Sequence, residues 1–228
     1  MKEHKLIAGV RFSGENVIVS VFEQLTSLDL QGQTMGSRSE KYVEEMECQT
    51  TMTLDDFLLG RVYEIAPVMA VRRNQHEIEK DRRKCTTLKV ACLPARIKAR
   101  SQTAPLEKRI RHYNSLLCMD FPGPDELDRI KEILRELPFV YYAGVSCGGS
   151  GVFAIIPIDN ADWRRHEDYF DAVTELARTL GLNPARTGRN VTDLRYQSHD
   201  DNYILNRHCI RFSLERKCSD GKENTEEQ

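Results

Sequence analysis

At 228 residues the chain is long enough to bury a core, as one large domain or two small ones. Apolar residues at 40% and charged residues at 30% exclude a disordered chain, and no apolar run nears the roughly 20 residues that span a bilayer. Seven cysteines, an odd number without paired short spacings or a C-x-x-C pair, speak against a disulfide framework and a structural zinc site. With only a short apolar run before Arg11, the expected setting is the cytoplasm, with no secretory signal and no membrane.

In chain order, 16 to 22 alternates and is rich in Val and Ile, as a strand does. Residues 31 to 41 read as a Gly/Ser loop. Thr53 is a suitable N-cap for a helix from 54 to 65, with Asp55 and Asp56 in its first turn and Leu54, Phe57, Leu58 and Val62 on one face. A second helix is expected at 74 to 84, an extended piece at 89 to 94, and a basic loop at 95 to 105. The net charge of −2 conceals an asymmetry here: residues 72 to 111 hold 13 Lys/Arg against four acids, a surplus of 13 − 4 = 9. Such a field attracts polyanions, and Arg82, Arg83, Lys84, Arg96, Lys98 and Arg100 are its candidate nucleic-acid contacts. A solvated helix and loop would give the same count, and interleaved aromatics for base stacking are missing.

From Ser115 the pattern changes. A strand at 115 to 120 ends in Asp120 and leads through Phe-Pro-Gly-Pro into a helix at 125 to 137, with Leu127, Ile130, Leu134 and Leu137 as its apolar stripe. Strands at 139 to 146 and 152 to 158 flank the loop Ser146-Cys-Gly-Gly-Ser-Gly151 and suggest a hairpin. Asn160 is the expected cap of a long helix to Leu180, with Trp163, Phe170, Val173, Leu176, Ala177 and Leu180 inward and Gly181 as its stop. A last strand is expected at 209 to 214. The order β-α-β-β-α-β is that of a split, ferredoxin-like sheet in an α+β protein. The chain thus divides into an N-terminal α/β part (1–114), an RRM-like part (115–216) and a polar tail (217–228), together one compact unit.

Acids at strand ends beside a Gly/Ser loop suit phosphates and a divalent cation. With Thr53-Leu-Asp-Asp-Phe57, Lys89-Val-Ala-Cys-Leu-Pro94, Asn114-Ser-Leu-Leu-Cys-Met-Asp120, Ser146-Cys-Gly-Gly-Ser-Gly151 and Asp193-Leu-Arg195 in this order, the chain resembles the VirE N-terminal domain family of bacterial mobile elements. That family looks like a distant branch of the primase-polymerase superfamily. The resemblance implies a primase-polymerase-like fold and a site in three parts. Asp120 matches the first acid of a metal-binding Asp-x-Asp whose second acid is replaced by Pro122. The loop with Ser146, Gly148, Gly149, Ser150 and Gly151 matches a nucleotide-phosphate loop, but Phe153 stands where a histidine is expected. Asp193 matches a second metal-binding acid and Arg195 its basic neighbour.

The implied catalytic set is Asp120, Asp193 and Arg195, with Mg²⁺ or Mn²⁺ on the two aspartates. Two carboxylates are too few to hold two ions firmly, and Phe153 cannot donate to a phosphate. The expectation is therefore a replication-protein domain that binds nucleotides and DNA or RNA through a degenerate centre, accompanied by a helicase-like domain or protein. An active primase/polymerase-type nucleotidyltransferase is the alternative. Each residue also has a plainer role: Asp120 as a turn brace, Asp193 and Arg195 as salt-bridge partners, the glycine loop as a simple hairpin. His199, Asp200 and Asp201 are substitute ligands near Asp193, or a solvated loop.

Overall fold

The computed structural model describes residues 11–27, 50–60, 68–69, 72, 85–97 and 105–214. It is a mixed α+β molecule built on two four-stranded antiparallel sheets and one two-stranded ribbon. The expected loop at 31–41, the helix at 74–84 and the tail from 217 lie outside the described residues, as do residues 61–65, while the first helix, expected to run to 65, already stops at Leu59.

The first sheet has the order β2-β1-β3-β9. Its central strands are β1 (Ile18–Ser27) and β3 (Cys85–Cys92), paired antiparallel from Ser20↔Cys92 to Ser27↔Cys85. β2 (Thr50–Thr53) flanks β1 and runs into helix α1 (Leu54–Leu59). Thr53 caps that helix as expected, its Oγ1 accepting the Asp56 amide at 3.1 Å, and Gly60 at φ +59° ends it. Asp55 is not a solvated first-turn acid. It is buried, accepts from the Tyr141 hydroxyl at 2.5 Å and from Arg207 Nη1 at 2.7 Å, and so ties α1 to the second sheet.

β4 (Ala95–Ile97) and β5 (Ile110–Tyr113) form the ribbon, joined on the β5 side by the short helix α2 (Leu106–Arg109). Part of the expected 95–105 loop is thus strand, because Ala95 and Ile97 are buried against Phe22, Cys92 and Val191. Its remainder, with Lys98 and Arg100, lies outside the described residues, as do Arg82, Arg83 and Lys84.

The second sheet has the order β10-β7-β8-β6. β6 (Leu116–Pro122) and β7 (Tyr142–Val145) each pair antiparallel with β8 (Gly151–Pro157), so β6 and β7 run the same way with β8 between them. Helix α3 (Leu127–Arg135) makes the crossover, giving the split β-α-β unit. Both faces of this sheet are covered, which explains the near-continuous apolar runs. Leu117, Met119, Phe121, Val152, Ala154 and Ile156 face Ile130 and Leu134 of α3 and Tyr169, Phe170, Val173 and Ala177 of helix α4 (His166–Thr179). Leu116, Cys118, Tyr142, Phe153 and Ile155 face the other way, onto Val19, Val21, Ala91 and α1. The site described next sits in this second layer, between the sheets.

Several expectations change. Residues 209–214 are not a strand: Cys209 and Phe212 are buried, three positions apart, and the segment makes only an isolated bridge, Phe212 to Ile158. The fourth strand is β10 (Ile204–Leu205), which pairs with β7 instead of lying beside β6, as the last strand of a ferredoxin-like sheet would. β9 (Arg195–Tyr196) leaves the second half and joins β3 in the first sheet, Ala91↔Arg195 and Val90↔Tyr196. Asp162 rather than Asn160 caps the turn before α4, its Oδ1 accepting the Arg164 amide at 3.0 Å. Gly181 ends α4 at φ +76° as expected, whereas Leu180 is 38% exposed and outside the core.

Candidate functional site

Asp120 follows Leu116 and Cys118 on the face of β6 turned toward the first sheet, and its register partner across the ladder is Phe153 of β8. Arg195 reaches it from β9. The guanidinium is ion-paired with the Asp120 carboxylate, donates from Nε to Cys118 Sγ at 3.3 Å and lies 4.9 Å from the centre of the Phe153 ring. The pair is well shielded, with side chains 11% and 21% exposed for Arg195 and Asp120. Burial pushes the Cys118 thiol up to about 11, against the pull of Arg195 and with a further push from Asp120 and Asp193. Cys118 is therefore a protonated, packed thiol at neutral pH, not a nucleophile.

Asp193 belongs to the loop that covers the edge of β6. Its Oδ2 accepts the Gly188 amide at 2.9 Å, and the Asp120 carbonyl accepts the Ala185 amide at 2.8 Å. The Gly188 amide that holds Asp193 belongs to a residue packed against the Cys118 carbonyl, two positions before Asp120, so the loop brings Asp193 to the same end of β6. Gly188 makes this possible. A methyl group there would overlap the Cys118 carbonyl oxygen, and its φ is +91°. Behind it, buried His166 completes the support, with Nε2 3.1 Å from the Gly188 carbonyl and Nδ1 3.0 Å from the Tyr113 hydroxyl. A carbonyl can only accept, so Nε2 carries the proton and Nδ1 accepts from Tyr113.

Burial holds the His166 pKa below its usual value of 6.5, against the Gly188 carbonyl and Asp193. A lowered folded pKa means the unfolded chain takes up the proton first. His166 therefore supports the fold fully above pH 6.5, and that support is lost as the pH falls through its lower folded value. Thermal melts from pH 7.5 to 5 are expected to show a falling midpoint, with a flatter slope in His166→Gln. Equal slopes in the two proteins would remove this assignment.

The glycine loop is a hairpin turn between β7 and β8. Its Ser146 amide donates to Gly151 O at 2.8 Å and its Gly149 amide to Ser146 O at 2.9 Å, with Gly149 at φ +78°. Gly151 is required by packing, since a Cβ there would lie 2.7 Å from Phe121 O. Arg72 closes the loop from outside. It donates to Cys147 O at 3.3 Å, Ser146 O at 3.0 Å, His199 O at 2.7 Å and Ser198 Oγ at 3.3 Å. Two of the loop's amides thus serve the turn, and two of its carbonyls face a cation. The histidine expected at Phe153 has no replacement at that point: the ring is buried beneath Arg195.

Asp200 is committed to partners other than Asp193. Its Oδ2 accepts from Lys131 Nζ at 3.2 Å and from the Val145 amide at 2.9 Å, both groups well buried. Although burial raises its pKa, the Asn202 and Val145 amides and Lys131 bring it below the usual carboxylate range. His199 pairs with Asp201 at 3.1 Å. Among the described residues, no three His, Cys, Asp or Glu side chains converge as a metal site. The residues that sequence reasoning missed are Arg72, Lys131, His166 and Gly188. Only Gly188 had a local signal, a glycine between two arginine-bearing turns.

The architecture and site define an α+β domain of two facing antiparallel sheets with an acid–arginine cluster between them. Residues 87–209 match the model of the BT4734-like, N-terminal domain family, and the chain belongs to that family. The resemblance to the VirE N-terminal domain group holds at this level. No curated protein and no solved structure matches the chain. Among the described residues, no helix is long and apolar enough to cross a membrane.

Proposed function

We propose that this domain binds nucleotides and nucleic acid for a mobile-element replication protein, on a primase-polymerase-like fold whose metal centre has degenerated. The split β-α-β unit supports this, with an acid near the end of its first strand and a glycine hairpin between the next two. The observation that carries the reading is the Asp120–Arg195 ion pair. At the place where the resemblance implies a cation, the carboxylate already has a guanidinium, and Asp193 is engaged by the Gly188 amide. These donors do not fit a pair of ions, which needs several bridging carboxylates. One Mg²⁺ or Mn²⁺ would require Asp120 to leave Arg195. A helicase-like protein or domain is the partner this reading implies.

The second reading is an active primase/polymerase-type nucleotidyltransferase, favoured by one observation: the residue that holds Asp193, Gly188, packs against the Cys118 carbonyl two positions before Asp120. Two assays on one preparation separate the readings. Labelled oligonucleotides and nucleoside triphosphates are titrated by fluorescence anisotropy across a salt series, and primer synthesis and extension are followed with Mg²⁺ or Mn²⁺. Salt-sensitive binding with no product above background is expected. Extension that disappears in Asp120→Ala plus Asp193→Ala establishes the enzyme instead. Absence of both binding and extension defeats both readings.

A further inference from the structure

We propose that the outer face of the β4–β5 ribbon is a track for the phosphate backbone of nucleic acid, with Arg96, Arg109 and Arg111 as its contacts. This deepens the binding role proposed above and rests on it. The ribbon's inner side is apolar: Ala95 and Ile97 are buried and Ile110 packs with them against Val191 and Leu194, on the segment that leads to Asp193. Strand alternation sends Arg96 to the opposite side, where it stands across from His112. The register then slips between Arg96 and Ile97, leaving Arg111 as an extra residue in β5. Such a bulge re-aims side chains. Here it leaves two consecutive residues, Arg111 and His112, both exposed.

Charge on this face is not compensated. Arg129, Arg164, Arg165, Arg189 and Arg207 each have an acid within 4 Å. By contrast, Arg96, Lys108, Arg109 and Arg111 make no ion pair with a described residue, and Glu107 is the acid next to them in the chain. Arg109 ends helix α2 beside the ribbon; its Nε is closed off from solvent, so only the outer nitrogens of its guanidinium are available to a phosphate.

The class of partner follows from what the face lacks. Among the described residues, none of the large exposed apolar side chains, Met69, Leu180 and Tyr203, lies on the ribbon. Protein interfaces need an apolar centre and membrane-bound surfaces an apolar anchor, whereas a phosphate backbone needs cations alone. Tyr113, the ribbon's aromatic residue, is engaged with His166 below, so contact through phosphates and not through stacked bases is what the face offers.

The test uses the full chain with a fluorescein-labelled 20-nucleotide deoxythymidine strand and a labelled 20-base-pair duplex, titrated at several NaCl concentrations. Arg96→Gln/Arg109→Gln/Arg111→Gln is expected to weaken binding at low salt at least tenfold. The slope of log K against log salt should fall by about 2 on the strand and nearly 3 on the duplex, from about 0.7 and 0.9 per lost contact. The corresponding triple Lys variant is expected to keep the slope, and Arg135→Gln on α3 to change nothing. Should the triple Gln variant melt early, Arg111→Gln alone, at an exposed position, must still lower the strand slope by about 0.7. Wild-type binding with a slope unaltered by these variants overturns the ribbon and leaves the proposed function standing. A wild type that binds neither oligonucleotide overturns both. Binding to phosphatidylserine vesicles that neither oligonucleotide displaces assigns the face to a membrane and overturns the inference.

Discussion

Gly188→Ala is expected to cost about 4 kcal/mol in a urea denaturation. Two physical terms add. The residue sits at φ +91°, a region that side chains avoid, at a cost of about 1–3 kcal/mol. The new Cβ would also overlap the Cys118 carbonyl oxygen, with Phe170 Cε2 at 3.7 Å on its other side, so the loop must retreat from β6 at a further cost of about 1–3 kcal/mol. Retreat would take the Gly188 amide away from Asp193 and the Gly188 carbonyl away from His166. A loss under about 1 kcal/mol would show that the loop relaxes freely and that its approach to β6 is not what seats Asp193.

Arg195→Gln is expected to cost about 3 kcal/mol, and Asp120→Asn somewhat less. Removing one partner of a shielded pair leaves the other charge without compensation, which is worse than removing both. Arg195 also loses its Cys118 contact and its place over Phe153, and Asp120, at 21% exposed, keeps some solvent to relieve it. The double variant Asp120→Asn/Arg195→Gln is therefore expected to be less destabilised than the sum of the two, with a coupling of about 1–3 kcal/mol. Strict additivity would mean that the two side chains do not share the contact in solution, and the degenerate-centre proposal would lose its main support.

Local pattern made much of the second sheet legible. The unbroken apolar runs at 116–122 and 151–157 read as strands because both faces are covered, and the stripe through Ile130 and Leu134 read as a helix face. The segment 209–214 misled for a physical reason: an apolar stretch lying on a core can bury residues such as Cys209 and Phe212 without a neighbouring strand to supply a ladder. The residues Asp120, Asp193 and Arg195 could be singled out in the sequence, since an acid ending an apolar run is visible there. Their mutual arrangement could not. Nothing near Asp120 indicates that its carboxylate will meet an arginine 75 residues away instead of a cation. Arg72 was hidden in the same way, as one of 13 cations in a basic stretch, until the hairpin carbonyls it holds were in place.

The two-residue strand Arg195–Tyr196 has a consequence for the order of assembly. β3 waits for its second neighbour across 196 − 90 = 106 positions of chain, because Val90 pairs with Tyr196. Closing a loop of that length costs on the order of 4 kcal/mol in its length-dependent part, more than two residues of ladder return. The clasp therefore forms only once the layers on either side of it have already docked. During synthesis, the edge of β3 stays bare until nearly the whole domain has left the ribosome.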